Sequence, residues 1–257
     1  MPITYQLIMS GSVSIQLKKM MGYQYSDNHY DKAVLAVGSM EYHGQHLPYG
    51  TDTLVSEHIA SEVAKRVEGL LMLPSIPYGM SAHYSEFPLA ITLKTETLMH
   101  ILWEVFDSLK KHGIKRLLIV NGHDGNIPAI EAATSEYRER NPEFKILVLT
   151  AWWITAGELV PENTFEVWGG LGHGGEGETS MMLHVDPQLV DMSKAKGVVP
   201  SLPANVEWKW LFHEITPYGA TGDPTKATVK KGKLMNDALV NLLVQRVKEL
   251  DGKDWSI

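Results

Sequence analysis

Ala33-Val34-Leu35-Ala36-Val37-Gly38-Ser39-Met40-Glu41-Tyr42-His43-Gly44-Gln45-His46-Leu47-Pro48-Tyr49-Gly50-Thr51-Asp52 is the stretch that decides the fold. The run from Lys32 to Gly38 is short and almost wholly apolar, which suits a central parallel strand covered on both faces. It ends in a glycine, and Glu41, His43 and Asp52 follow at close spacing. A buried strand thus delivers polar side chains into a pocket at its carboxyl end.

Strand and helix alternate outward from there. Thr51 or Asp52 can cap a helix whose apolar positions Val55, Ile59, Val63 and Val67 step regularly along one face. Residues 70–79 read as the next strand and its exit loop. Thr95 can cap a helix with Leu98, Ile101, Leu102, Val105 and Leu109 inward, stopping at His112-Gly113. A third strand, 116–120, runs straight into Asn121-Gly122-His123-Asp124-Gly125-Asn126, and helix follows from about 128 to 140. A fourth strand, 144–149, leads to Trp152-Trp153. Residues 180–183 read as helical, 198–218 as irregular and aromatic, and about 233–250 as a last helix. The alternation predicts an α/β fold with a mostly parallel central sheet and helices on both faces, built as one domain over 1–257. Ligands bind such sheets at the carboxyl ends of the strands.

Composition narrows the partners. A formal charge of −7 argues against nucleic acid, which needs a basic patch. No apolar run approaches the ~18–20 residues of a membrane span. The start Met1-Pro2-Ile3-Thr4-Tyr5-Gln6 lacks a basic segment followed by an apolar core. With no cysteine there is no disulfide and no thiolate ligand, in keeping with a reducing compartment. The expectation is a cytoplasmic protein acting on a small molecule.

In an extended segment alternate side chains share a face, so Glu41 and His43 point into one cavity while Tyr42 faces away. Asp52 returns to that cavity across Pro48-Tyr49-Gly50, and His123 enters from the neighbouring strand's loop. Two histidines with two or three carboxylates suit Zn, Mn or Fe(II). So many donors exceed the needs of one ion and fit two ions sharing a carboxylate. An isolated Glu-x-His carries little weight; the joint placement after consecutive strands carries the reading. Of the eleven histidines, His46 and His83 also lie near the predicted site. The glycine-rich segment 169–177 lacks the Lys-Ser/Thr of a phosphate loop and the register of a dinucleotide fold. Its glycines are read as letting the backbone pass close to the pocket while His173 and Glu178 reach in. Trp152, Trp153, Trp168, Trp208 and Trp210 are read mainly as core or subunit contacts. Ser81, His83, Asp124, Trp152 and Trp168 are the candidate substrate contacts.

These motifs resemble the creatininase (creatinine amidohydrolase) family. The resemblance covers nearly all of the chain after residue 30. It rests on 38–48 with Asp52, on 121–126, on His173-Gly174-Gly175-Glu176-Gly177-Glu178-Thr179-Ser180, and on Gly219-Ala220-Thr221-Gly222-Asp223-Pro224. It implies an α/β fold, a homo-oligomer that is often a hexamer, and a two-metal hydrolase. By position, Glu41 and His123 are implied to bind one metal, His43 the other, and Asp52 to bridge them. Creatininase carries a glutamate ligand two places after the histidine of its Asn-Gly-His motif; here Gly125 stands there. Glu178 is then the best replacement ligand and Asp124 the second. Creatininase also has Trp-Asp-x-Glu before the histidine that matches His173, where this chain has Gly169-Gly170-Leu171-Gly172, so the expected substrate is not creatinine. Other branches, as the resemblance implies, deformylate a formamide, trim a peptide or open a cyclic ketone.

The expected chemistry is hydroxide, formed between two ions that lower the pKa of water towards ~7, attacking a cyclic amide or formamide carbonyl. His173 serves as general acid/base, with Glu178 beside it. The alternatives are C–C hydrolysis of a keto-inositol and a metal-binding relative without catalysis.

Overall fold

A computed structural model describes residues 14–201, 203, 205–206 and 209–256. The N-terminal start and Trp208, both read above, lie outside them. Along the chain run β1 (Ile15–Gln16), α1 (Gly22–Ser26), β2 (Lys32–Val37), α2 (Thr51–Ala64), β3 (Leu70–Met72), α3 (Thr95–Lys111), β4 (Arg116–Asn121), α4 (Ile127–Arg140), β5 (Lys145–Leu149), α5 (Trp152–Leu159), α6 (Glu176–Val185) and α7 (Val229–Asp251). The strands form one sheet in the order β1-β3-β2-β4-β5, with every pairing parallel.

Side chains alternate across the sheet and split the core in two. Val34, Ala36, Leu118 and Val120 face one side, where α2, α5, α6 and α7 contribute Ile59, Trp152, Met181 and Leu239. Ala33, Leu35, Val37, Leu117 and Ile119 face the other, against Leu98, Leu102 and Phe106 of α3 and Ile130 and Ala133 of α4. Both faces of β2 are therefore dry, which is why its sequence shows no polar alternation. Each such fully buried Val or Leu contributes about 1.5–3 kcal/mol.

Three local expectations are corrected. The N-cap of α2 is Gly50, with no side-chain cap; Thr51 donates to Pro48 O, and Asp52 lies inside the first turn with its carboxylate turned into the pocket. Lys94 rather than Thr95 is the N-cap of α3, whose buried stripe includes Phe106, with Ile101 and Val105 only partly covered. The aromatic pair after β5 begins a helix, α5, because Trp152 anchors it in the core.

The chain steps from β2 to β3 on one side and then crosses to β4 on the other. The carboxyl end of β2 thus lies at the point where the strand order reverses, where an open parallel sheet leaves a crevice between diverging loops. The loops after β2 and β4 meet there.

Candidate metal centre

Six ionisable side chains converge in that crevice, one of them His173 from the loop before α6. Glu41 and His43 come from the loop after β2, Asp52 from the first turn of α2, His123 from the loop after β4, and Glu178 from the first turn of α6. These last five are buried. Glu41 is held in place because its N–H donates to Tyr49 O, which closes the loop back onto α2. Tyr42 points away and stacks on Phe87 with ring centroids 5.0 Å apart.

The donor atoms form overlapping sets: Glu41 with Asp52 and His123, His43 with Asp52 and Glu178, and Glu41 with His43 and His173. His123 Nδ1 lies 3.2 Å from Glu41 Oε1 and 3.3 Å from Asp52 Oδ2. His43 Nε2 lies 3.0 Å from Asp52 Oδ1 and 3.9 Å from Glu178 Oε2. His173 Nδ1 is 3.6 Å from Glu41 Oε1. Asp52 belongs to two sets, one through each oxygen.

The outer nitrogens explain what these sets are for. His123 Nε2 is 3.0 Å from Met80 O, His173 Nε2 is 2.7 Å from Tyr42 O, and His43 Nδ1 is 3.3 Å from Glu41 O. A carbonyl only accepts, so each outer nitrogen carries the proton and, in the neutral ring, each inner nitrogen keeps a lone pair. Three lone pairs then face three carboxylates. Glu41 Oε1, Asp52 Oδ2 and His43 Nε2 are buried with no hydrogen-bond partner. Such groups are costly to leave uncompensated, and cations held in the two sets would compensate them. The donor set therefore fits hard or borderline divalent ions.

The electrostatics agree. Burial disfavours charge on His43, yet Asp52, Glu178 and Glu41 raise its pKa to about 9. His123 is raised well above its ordinary value against the same burial, by Glu41 and Asp52. Burial pushes the Glu178 carboxyl up to about 7, against the pull of His43. Burial and His43 hold His173 well below the ordinary histidine value, so its ring rests neutral, with Nδ1 free to accept a proton. The carboxylates thus favour positive charge at His43 and His123, which a second proton supplies in the metal-free protein and a cation between the ligands would supply in its place.

Glu178 reaches the second set, whereas Asp124, the other candidate, is exposed and lies in none of the sets. Gly174 N–H donates to Glu178 Oε2 at 2.6 Å. The glycine loop packs around Thr221, and a β-carbon on Gly172, at φ 113°, would stand 2.5 Å from Thr221 O. Thr221 grips His173 from both sides: its Oγ1 accepts from His173 N–H at 2.9 Å, and its N–H donates to His173 O at 2.8 Å. His46 Nε2 donates to Gly174 O at 3.1 Å, bracing the same loop from outside the ligand sets.

The candidate substrate contacts separate. His83 stacks on His123 with ring centroids 5.6 Å apart, at the half-buried rim. Ser81 is buried between Ser39 and His123 and is closed to solvent. Trp152 is 1% exposed in the core, which corrects its placement at the pocket. Trp168 is 44% exposed on the turn that precedes the His173 loop. Two contacts had no signal in the sequence: Tyr84 lies 4.3 Å and Phe212 5.1 Å, ring to ring, from His173. Ser39 did have one, since alternation places it on the face of Glu41 and His43.

Comparison with known proteins follows the same line. The chain matches the Creatininase family, creatinine amidohydrolase, over residues 20–247. A mycofactocin precursor peptide peptidase of Mycobacterium ulcerans (strain Agy99) is 31% identical over 226 residues, covering 83% of each chain. A creatinine amidohydrolase of Pseudomonas putida is 29% identical over 239 residues, covering 84% of this chain and 88% of that one. A solved manganese creatininase aligns with a TM-score of 0.77 at 26% identity, covering 92% of this chain and 98% of that one. The two relatives are by name hydrolases of C–N bonds.

Proposed function

The chain belongs to the creatininase family of metal-dependent hydrolases, and we propose that it uses two divalent ions to hydrolyse an amide, cyclic or formamide, in a small molecule other than creatinine. Glu41, Asp52 and His123 would hold one ion, and His43, Asp52 and Glu178 the other. Divalent ions held there would supply Lewis acidity, polarising a carbonyl and bringing the ionisation of water to about pH 7. Zn, Mn and Fe(II) all suit the donors.

The chain's own residues do the rest. Asp52 spans both sets and fixes their separation. His173 keeps its Nε2 proton on Tyr42 O, so Nδ1 is where it takes up a proton and passes it to the leaving nitrogen. Thr221 holds the His173 backbone so that Nδ1 stays aimed inward. Tyr84 and Phe212 cover His173 and limit water around it.

The observation that carries this reading is the set of three histidines whose outer protons rest on backbone carbonyls. The test is to strip the protein with a chelator, reload it with Zn²⁺ or Mn²⁺, and assay a formamide, a lactam, a short peptide and a keto-inositol. Metal-dependent amine release is expected. Protein that takes up neither ion sinks the reading, and turnover of the keto-inositol alone would replace it with C–C hydrolysis. A homo-oligomer, hexameric by the family resemblance, is part of the proposal and is read by light scattering after gel filtration.

A further inference from the structure

Against the outer atoms of Glu41 and His123 lie two serines that the chemistry above does not use. Ser39 follows β2 and Ser81 follows the exit loop of β3; both are fully buried. Their hydroxyls hydrogen-bond to each other. Ser39 Oγ is 3.3 Å from Glu41 Oε2, and Ser81 Oγ is 3.3 Å from His123 Nε2.

The direction of this chain is determined at both ends. Met80 O forces the proton onto His123 Nε2, so Ser81 Oγ accepts there and its own proton goes to Ser39. Glu41 Oε2, a carboxylate oxygen, only accepts, so Ser39 donates to it. The order is therefore His123 Nε2–H to Ser81, Ser81 to Ser39, and Ser39 to Glu41 Oε2. It joins the outer atoms of two side chains whose inner atoms, His123 Nδ1 and Glu41 Oε1, face each other at 3.2 Å. Glu41 Oε1 is the buried oxygen with no partner of its own.

We propose that Ser39 and Ser81 form a hydroxyl relay that positions Glu41 and His123 as a pair, reserving Oε1 and Nδ1 for one divalent ion. Outer-shell hydrogen bonds orient ligands and hold the tautomer in just this way, and losing one typically costs 10–100-fold in metal affinity. The relay is itself located by side chains outside it. Asn126 donates to Gly38 O at 3.0 Å and accepts from Met80 N–H at 3.0 Å, tying together the residues that precede the two serines. Thr92 Oγ1 accepts from Ser81 N–H at 2.9 Å, and Thr53 Oγ1 donates to Ser39 O at 3.2 Å. The serines are positioning residues and touch neither substrate nor ion.

The inference rests on the two-metal reading, and one experiment separates their failures. Chelator-stripped wild type, Ser39→Ala, Ser81→Ala and the double variant are titrated with Zn²⁺ by chelator competition, with the Tm of each metal-free protein as the control for folding. Each single variant is expected to bind roughly 10–100-fold more weakly, with little further loss in the double variant because both hydroxyls serve one chain. Wild-type Zn²⁺ affinity in both single variants overturns the relay and leaves the two-metal reading standing. A wild type that binds no Zn²⁺ overturns both. If the variants do not fold, proton NMR of Zn²⁺-loaded wild type decides: Ser39 and Ser81 hydroxyl protons that exchange slowly with water support the relay, and hydroxyl protons in fast exchange overturn it.

Discussion

A β-carbon on Gly125 would stand 2.6 Å from His123 Nε2 and would also collide with Met80 O, so the bond that sets the His123 tautomer occupies the space of a side chain at 125. The place where creatininase is read to carry a glutamate ligand is thus closed here, not merely vacated. Gly125→Glu should not add a ligand. It should weaken Zn²⁺ binding by about tenfold or more through His123 and lower the stability of the metal-free protein by about 1–3 kcal/mol. Zn²⁺ titration and urea unfolding measure both, and tighter binding in the variant would show that the loop opens to accept a new ligand.

Asp52 offers Oδ1 to His43 and Oδ2 to His123. Asp52→Asn should therefore weaken both ion sites together, by at least about tenfold each, with turnover falling in step. Metal content by elemental analysis after gel filtration is the measurement; retention of the full wild-type content would remove Asp52 from the bridge.

Glu178 belongs only to the set with His43 and Asp52. Glu178→Gln should release one ion and spare the other, halving the stoichiometry and not abolishing it. Calorimetric titration resolves the two sites. Loss of both ions, or of neither, contradicts the assignment.

Thr221 holds His173 without belonging to any ligand set. Thr221→Val removes the hydroxyl that accepts from His173 N–H and should lower kcat by roughly 10–100-fold through misplacement of Nδ1. Metal content should stay unchanged, and Thr221→Ser should restore the rate. A Val variant with wild-type kcat would show that the backbone grip is dispensable.

Glu176, fully buried at the start of α6, is paired with Lys231 of α7 at 2.5 Å and accepts from Glu166 and Val167 N–H. Lys231→Met leaves that carboxylate without its cation and should cost about 3–5 kcal/mol in urea unfolding. Burial alone would lower the Lys231 pKa, but Glu176 and Glu166 raise it above 10.5. A raised lysine stabilises the fold fully below its unfolded pKa and loses that contribution as pH climbs through the folded value. The gap between wild type and variant should accordingly be constant near neutrality and shrink only at strongly alkaline pH.

Much of the frame was legible before any coordinates. The unbroken apolar runs of β2 and β4 identify doubly covered parallel strands, and the structure keeps their bounds to within a residue or so. Helix α5 was hidden because its aromatic start reads equally well as loop or core. Edge strand β1 pairs over only two residues and leaves no periodic trace. Trp152 looked like a pocket wall from its place after β5, but a helix turns it under the sheet.

By itself the sequence determined an alternating α/β chain, the residues Glu41, His43, Asp52, His123, His173 and Glu178 near strand ends, and the absence of thiolate ligands. These follow from local physics: apolar period, glycine placement and donor chemistry. Only the tertiary structure decided that Glu178 and not Asp124 faces His43, that Gly125 is closed to a side chain, and that Ser39, Ser81 and Thr221 stand behind the ligands. Those relations join segments separated by tens of residues, and their ångström-scale geometry is set by how α2, α6 and the strand-end loops pack against one another.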